Sequence, residues 1–310
     1  MSEGAVADSV TRDEVLNARH AFAFSNPTPP PAKNIGSLAL EAMLVEVSVT
    51  PKPGLVDRNN SGAHRDMCFF TFLKSAAGLH NAFDKFAQAG SESPSPSSMF
   101  PVLRKIGLEA EHDMFSATGG INTHKGEIFS LGVLSGCAGY LSRLGQDLTP
   151  NNLLGLAGRV CAGLCESDFA ETRKKPHTLL TKGERVYLEH GIAGIRGEAE
   201  AGYPVVKNAG LPALTKYLAE GLSMNDALAF TLLHIMAVNY DTNIISRHDL
   251  KTAKEVMSTA ENLIAEGLTI EKLHKLDDEF ISRNISPSGS ADLLAVTYFI
   301  HSLTQPSPNS

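Results

Sequence analysis

Five short segments concentrate cations, carboxylates, amides and glycines in a chain otherwise rich in apolar helical patterns. The densest runs from Thr50 to Asp66, TPKPGLVDRNNSGAHRD, and projects Lys52, Asp57, Arg58, His64 and Asp66 from a backbone stiffened by prolines and glycines. Hard cations such as Mg²⁺ take carboxylate oxygens and phosphates take Lys or Arg, so this mixture suits a metal and phosphate site. A solvated loop laced with ion pairs has the same composition. The second segment is Thr118 to Gly126, TGGINTHKG. If a helix starts near Thr123, His124 and Lys125 stand in its first turn, where the macrodipole disfavours cations. A phosphate placed there meets free backbone amides and Lys125 together. The glycine spacing is not that of a P-loop. A threonine-capped helix that tolerates its cations is the plainer alternative.

The third segment, GIRGEAEAGYP from Gly194 to Pro204, offers Arg196 and Glu198, which a structural ion pair also explains. The fourth, NYDTNIISR from Asn239 to Arg247, follows the apolar run Leu232 to Val238. An acid such as Asp241 entering the core there is costly unless paired or metal-bound. The fifth, SPSGSAD from Ser286 to Asp292, reads as capping, with Ser290 as N-cap and Asp292 in the first turn. The other histidines, among them His80, His190, His234 and His274, lack supporting neighbours and read as structural or exposed.

These segments need elements to hold them. Apolar residues at spacings of three and four predict helices over residues 37–49, 67–89, 98–115, 124–144, 151–165 and 178–190. The same spacing predicts 211–220, 224–238, 249–266, 270–282 and 290–303. In the first of these Glu41 and Glu46 are the only charges, which suits a helix deep in the fold. Residues 90–98, rich in Ser, Pro and Gly, read as a surface linker. Hairpin signals are scarce and no βαβ repeat is visible, so the expected fold is an all-α bundle of about ten to twelve helices, with functional loops between them. Residues 1–35, ending in NPTPPP, read as a loosely ordered arm, and 36–305 as a single helical domain.

Bulk properties narrow the function. The 310 residues are 43% hydrophobic and 20% charged, ordinary for a folded protein with a substantial core. A net charge of −7 argues against wrapping a nucleic-acid polymer, which needs a sustained basic surface. The four cysteines fall in helical patterns and read as small buried hydrophobes. Cys161 and Cys165, four apart on one helix face, lack a second Cys or His pair for zinc. No signal-like start and no run of about 18 apolar residues occurs, so a cytoplasmic protein is expected.

Taken together, PKPGLVDRNNSGAHRDM, TGGINTHKGEIFSLG, GIRGEAEAGYP, DTNIISR and SPSGSADLL resemble the triphosphoribosyl-dephospho-CoA synthase family over about Ser37 to Leu303, with the first 35 residues outside. The resemblance implies attack of 3′-dephospho-CoA on C1′ of the ATP ribose, with adenine leaving and the triphosphate retained. It implies Mg²⁺ arriving with ATP, and a downstream holo-acyl-carrier-protein synthase as consumer in citrate lyase or malonate decarboxylase maturation. Displacing a base from a ribose passes through an oxocarbenium-like state, so the site needs a base, a means of stabilising adenine, and cations on the triphosphate. On this reading Lys52, Lys125, Arg196, Arg247 and Asn122 hold phosphates. Glu46, Asp57, Asp66 and Asp241 are the Mg²⁺ candidates, and His64, His124 or Glu198 takes the hydroxyl proton. Ser288 replaces one of the paired glycines usual in the family's last motif, and His248 stands where a glycine is expected. Two other readings fit the same residues: a Mg²⁺-dependent hydrolase of the ADP-ribosylglycohydrolase type, and a nucleotide-binding assembly protein without turnover.

Overall fold

The computed structural model describes residues 34–305, and the expectation of a loose arm over residues 1–35 lies almost wholly outside them. The described chain is helical, with no strand among the described residues. In order, the helices are α1 (Ile35–Ser48), α2 (Phe69–Gly78), α3 (Ala82–Glu92), α4 (Pro96–Thr118), α5 (Lys125–Arg143), α6 (Pro150–Val160) and α7 (Leu164–Thr172). After a 3₁₀ turn (His177–Leu179) come α8 (Lys182–His190) and α9 (Ile195–Glu200), then a π-helical turn (Val206–Gly210) leading into α10 (Leu211–Ala219). The chain ends with α11 (Met224–Val238), α12 (Thr242–Arg247), α13 (Leu250–Ala265), α14 (Ile270–Ser282) and α15 (Ser288–Thr304).

Three helices, α5, α11 and α15, are apolar on nearly every side and therefore lie inside the bundle. α5 meets α3 at backbone contact. A Cβ on Gly90 would stand 1.8 Å from the Gly136 carbonyl oxygen, and one on Gly139 would stand 2.0 Å from that of Ala87. Glycine is required at both positions because no side chain fits between the two helices. Helix starts are set by local chemistry: Ser95 and Thr181 close capping boxes, Pro96 and Pro150 occupy first helical positions, and Ser223, Asp249 and Thr269 cap α11, α13 and α14.

Several boundaries differ from the periodic reading. The stretch 67–89 is two helices, broken at Leu79–Asn81, because an apolar residue inside the turn (Leu79 is fully buried) continues the periodic pattern. Helix α3 runs through Gly90 to Glu92, so the linker shrinks to Ser93–Ser95. Gly163, at φ 77°, separates α6 from α7, and Cys161 and Cys165 therefore do not share a helix face. Cys68 is exposed just ahead of α2, rather than buried. Short helices α9 and α12 escape periodicity altogether, since six residues hold too few turns to show it.

Candidate active site

The loop after α1 is pinned by two aspartates. Asp57 is buried and accepts backbone N–H groups from Lys52 (3.2 Å), Asn59 (2.7 Å) and Asn60 (3.0 Å). Asp277 of α14 accepts the Gly54 N–H and the Asn60 side-chain amide, both at 2.8 Å. So held, the loop turns Lys52 inward, where its side chain is 1% exposed and its ammonium pairs with Glu46 at the end of α1. Burial raises the Glu46 carboxyl above its ordinary range despite Lys52, which pulls the other way, and Asp57 adds to the rise.

Around this pair the starts of three helices converge. Asp241 caps α12 by accepting the Asn243 N–H (2.9 Å), and it also accepts the backbone N–H (2.8 Å) and hydroxyl (3.1 Å) of Ser290 in the first turn of α15. Gly289 lies against the Asp241 carboxyl, and Gly126 in the first turn of α5 lies against that of Asp292. Asp292 makes no hydrogen bond or ion pair with the described residues. Glu127, buried, leaves Oε2 without a partner, and His124, fully buried just before α5, leaves Nε2 without one. Burial pushes the Glu127 and Asp292 carboxyls well above the usual range. Glu46 and Asp292 add to the effect on Glu127, and Asp241 and Glu46 to that on Asp292. Helix N-termini favour negative charge, which offsets part of the desolvation. The result is a cluster of four carboxyl groups, three of them buried and Asp292 half-buried, with one ammonium, short of positive charge when all four are ionised.

Gly126 is the clearest steric constraint. A Cβ there would stand 2.0 Å from Asp292 Oδ2. Gly126→Ala is therefore expected to cost about 1–3 kcal/mol, by displacing the carboxyl or parting the two helix starts. Urea denaturation measures this, and a variant as stable as the parent would show that the contact relaxes freely.

Comparison with known proteins adds a separate line. The profile of the ATP:dephospho-CoA triphosphoribosyl transferase family matches residues 32–310. The chain belongs to this family. A 2-(5″-triphosphoribosyl)-3′-dephosphocoenzyme-A synthase of Escherichia fergusonii is 41% identical over 302 residues, covering 95% of this chain and 96% of its own. A protein of Citrobacter koseri, named as a probable enzyme of the same kind, is 42% identical over 275 residues, 86% of this chain and 90% of its own. The first of these alignments reaches into residues 1–35, so the family likeness extends further toward the N-terminus than the five motifs suggest. No solved structure matches.

Of the residues that the motifs single out, the fold brings Glu46, Lys52, His124 and Asp241 together. Asp57 is engaged in holding the loop. Asp66 is 65% exposed, with only His64 nearby at 3.9 Å. His64 Nε2 lies 2.8 Å from Ser286 Oγ, and its Nδ1 lies 3.4 Å from Arg247, which also donates to the Ala63 carbonyl. A guanidinium only donates, so Nδ1 accepts and Nε2 carries the proton. Burial and Arg247 lower His64 to about 4, against Asp66, which raises it. Lys125 pairs at the surface with Glu111 (2.7 Å), and its backbone N–H faces Asn122 Oδ1 at 3.4 Å. Arg196 lies in a cleft of about 310 Å³ shared with Arg104, Lys175, Asp168 and Glu184, its Nε 3.0 Å from Asp168. Glu198 is raised to about 7 by burial, against the Val205 N–H donated to it at 3.1 Å. Close to it, the Tyr203 hydroxyl and, on α5, the Ser130 hydroxyl are both buried without a hydrogen-bond partner among the described residues.

Two members of the cluster, Glu127 and Asp292, are absent from the candidates that sequence reasoning selects. Helix α15 starts at Ser288, two residues before the expected cap, so Ser290 lies inside the helix and binds Asp241 instead of capping. Glu127 carried a usable signal: an acid on a helix with no polar face has to be buried.

Proposed function

We propose that the chain transfers the triphosphoribosyl group of ATP to the ribose 2′-hydroxyl of 3′-dephospho-CoA, giving 2′-(5″-triphosphoribosyl)-3′-dephospho-CoA and adenine. The C1′–N bond to adenine breaks, a C1′–O bond forms, and the hydroxyl proton ends on adenine. What carries the reading is the cluster of buried Glu46, Lys52, His124, Glu127 and Asp241 with half-buried Asp292, where three helix starts meet the end of α1, in a chain of this family. Lys52, Arg247 and Lys125, the last released from Glu111, would meet the triphosphate, and Asn122, beside Lys125, would add its side-chain amide. Arg196, with Arg104 and Lys175, would meet the diphosphate of the acceptor. Glu198, two residues beyond Arg196, is the base, because burial raises its carboxyl to about 7, where it can take up and release a proton near neutral pH. His64 lacks a free lone pair. The product suits a holo-acyl-carrier-protein synthase acting next. Among the described residues no helix is long and apolar enough to cross a membrane, and the described cysteines are free thiols, which suits a reducing cytoplasm.

Mg²⁺ would accompany ATP and neutralise charge on the phosphates. Among the described residues no three His, Cys, Asp or Glu side chains converge as a ready metal cage. Mg²⁺ seldom needs one, since it keeps waters and takes one or two carboxylates plus phosphate oxygens. Glu127 and Asp292 fit that requirement, having unpartnered carboxyl oxygens, with Glu46 and Asp241 adjoining. Asp292→Asn is expected to weaken Mn²⁺ binding in the presence of ATP by about 10–100-fold, read by electron paramagnetic resonance. The same change should raise stability at pH 8 by about 0.5–2 kcal/mol. An acid whose folded pKa is raised loses stability as pH climbs past its unfolded value, so the gain should shrink toward pH 4. Unaltered Mn²⁺ affinity would remove Asp292 from the metal site.

The reaction itself is tested by incubating the protein with ATP, Mg²⁺ and 3′-dephospho-CoA and following adenine and the coupled product by mass spectrometry. Formation of ADP or pyrophosphate, or adenine release without dephospho-CoA, would overturn the proposal.

A further inference from the structure

The two ring nitrogens of His124 are in different situations. Nδ1 lies 2.7 Å from Ser75 Oγ, and Ser75 Oγ accepts the Thr123 hydroxyl at 2.8 Å. Ser75 is fully buried, and its hydroxyl has no other acceptor among the described residues. A serine hydroxyl holds one proton. With Thr123 donating to Ser75, that proton goes to Nδ1, because a buried hydroxyl with nowhere to donate costs about 1–3 kcal/mol. The ring's own proton is then on Nε2. Phe72 packs edge-on against the ring at a centroid distance of 4.9 Å and resists its reorientation. Nε2 remains buried without a partner, in a ring on which the Lys52 ammonium acts.

We infer that the Thr123–Ser75 relay locks His124 in the Nε2–H tautomer, and that His124 serves with Lys52 as a neutral donor to an anionic acceptor atom of bound ATP. The inference rests on the ATP reading above and deepens it. A donor left unmet in a dry interior calls for an acceptor that arrives with the ligand. The neighbouring ammonium selects a negative one, whether a phosphate oxygen or a nitrogen of departing adenine on which charge develops. A ring that already carries its proton on Nε2, with Nδ1 occupied, has no lone pair for the 2′-hydroxyl proton. His124 is therefore not the base. Burial and Lys52 lower it to about 3, so it does not become an imidazolium at neutral pH either. Ser75 and Thr123 are positioning residues that act through the ring.

The tautomer can be read in the full chain without substrate, by nuclear magnetic resonance of ¹⁵N-labelled histidine, with the His124 signals assigned from their loss in His124→Gln. The expected result is an Nε2–H imidazole that does not change protonation between pH 5 and 9, and a mixture of tautomers in Ser75→Ala. An Nδ1–H ring, an imidazolium forming in that range, or an unaltered tautomer in Ser75→Ala would overturn the relay. Adding Mg²⁺ and ATP should shift the Nε2–H signal. Inorganic triphosphate separates the two sources, since it reproduces the shift when the acceptor is a phosphate oxygen and leaves it unmoved when the acceptor belongs to adenine. No shift with ATP would overturn the donor role. His124→Gln, whose amide still donates, should keep at least about tenfold more turnover than His124→Leu, and equal losses would overturn it. If the parent protein releases no adenine, the reaction fails while the tautomer result stands.

Discussion

Lys52→Met should lose about 3–5 kcal/mol of stability at pH 8 and about 10²–10³ in turnover. Lys52 is the ammonium that pairs with Glu46 and acts on Glu127, and its removal leaves those two carboxyls without compensating positive charge. A single buried charge deprived of its partner is far costlier than the pair itself. The loss should depend on pH in a definite direction. Glu46 already has a raised pKa in the folded protein, so its contribution is fully present below 4.5 and fades as pH rises. Without Lys52 the carboxyl climbs further, and the variant's deficit at pH 8 should exceed its deficit at pH 5. Urea denaturation at the two values measures this, and equal deficits would sink the argument. Lys52→Arg keeps the charge in a bulkier head and separates charge from packing.

Glu198→Gln should lower turnover by about 10²–10⁴ while leaving ATP affinity within a few-fold, since a positioned base contributes about that much to rate. In the parent, turnover should rise with pH through about 7 as Glu198 ionises, and in the variant that limb should vanish. Stability runs the opposite way. The folded pKa near 7 lies above the ordinary 4.5, so the parent should lose stability as pH rises from 4.5 to 7, and Glu198→Gln should flatten that part of the profile. Initial rates across pH 5.5 to 8.5 decide the kinetic part. A pH limb surviving in Glu198→Gln would assign the base elsewhere.

Individual residues show why part of the candidate site is legible in the sequence. Glu46 and Asp241 stand out because an acid inside an apolar run has to be explained by something beyond solvation. Lys52 and His124 stand out for their proline- and glycine-bound loops. Asp292 does not, because an acid in the first turn of a helix is ordinary local chemistry, and only its place against Gly126 and near Asp241, with no hydrogen bond among the described residues, makes it unusual. Asp57 shows a role that its sequence position does not reveal. Its place in a charged loop suggests a ligand, yet its oxygens hold the loop's own backbone. Lys125 and Arg196, alike as cations beside glycines, part company in space: one faces Glu111 on α4 and the other Asp168 on α7.

The sequence by itself determined the all-helical class, the order of five motifs and the inventory of cations and carboxyls, because helical periodicity and residue type are local properties. The tertiary structure alone decided which carboxyls act on one another, which ammonium stands beside Glu46 and Glu127, and which nitrogen of His124 holds its proton. Those depend on the dielectric and on hydrogen-bond partners such as Ser75, supplied by helices distant in the chain, and neither exists until the starts of α5, α12 and α15 are packed together.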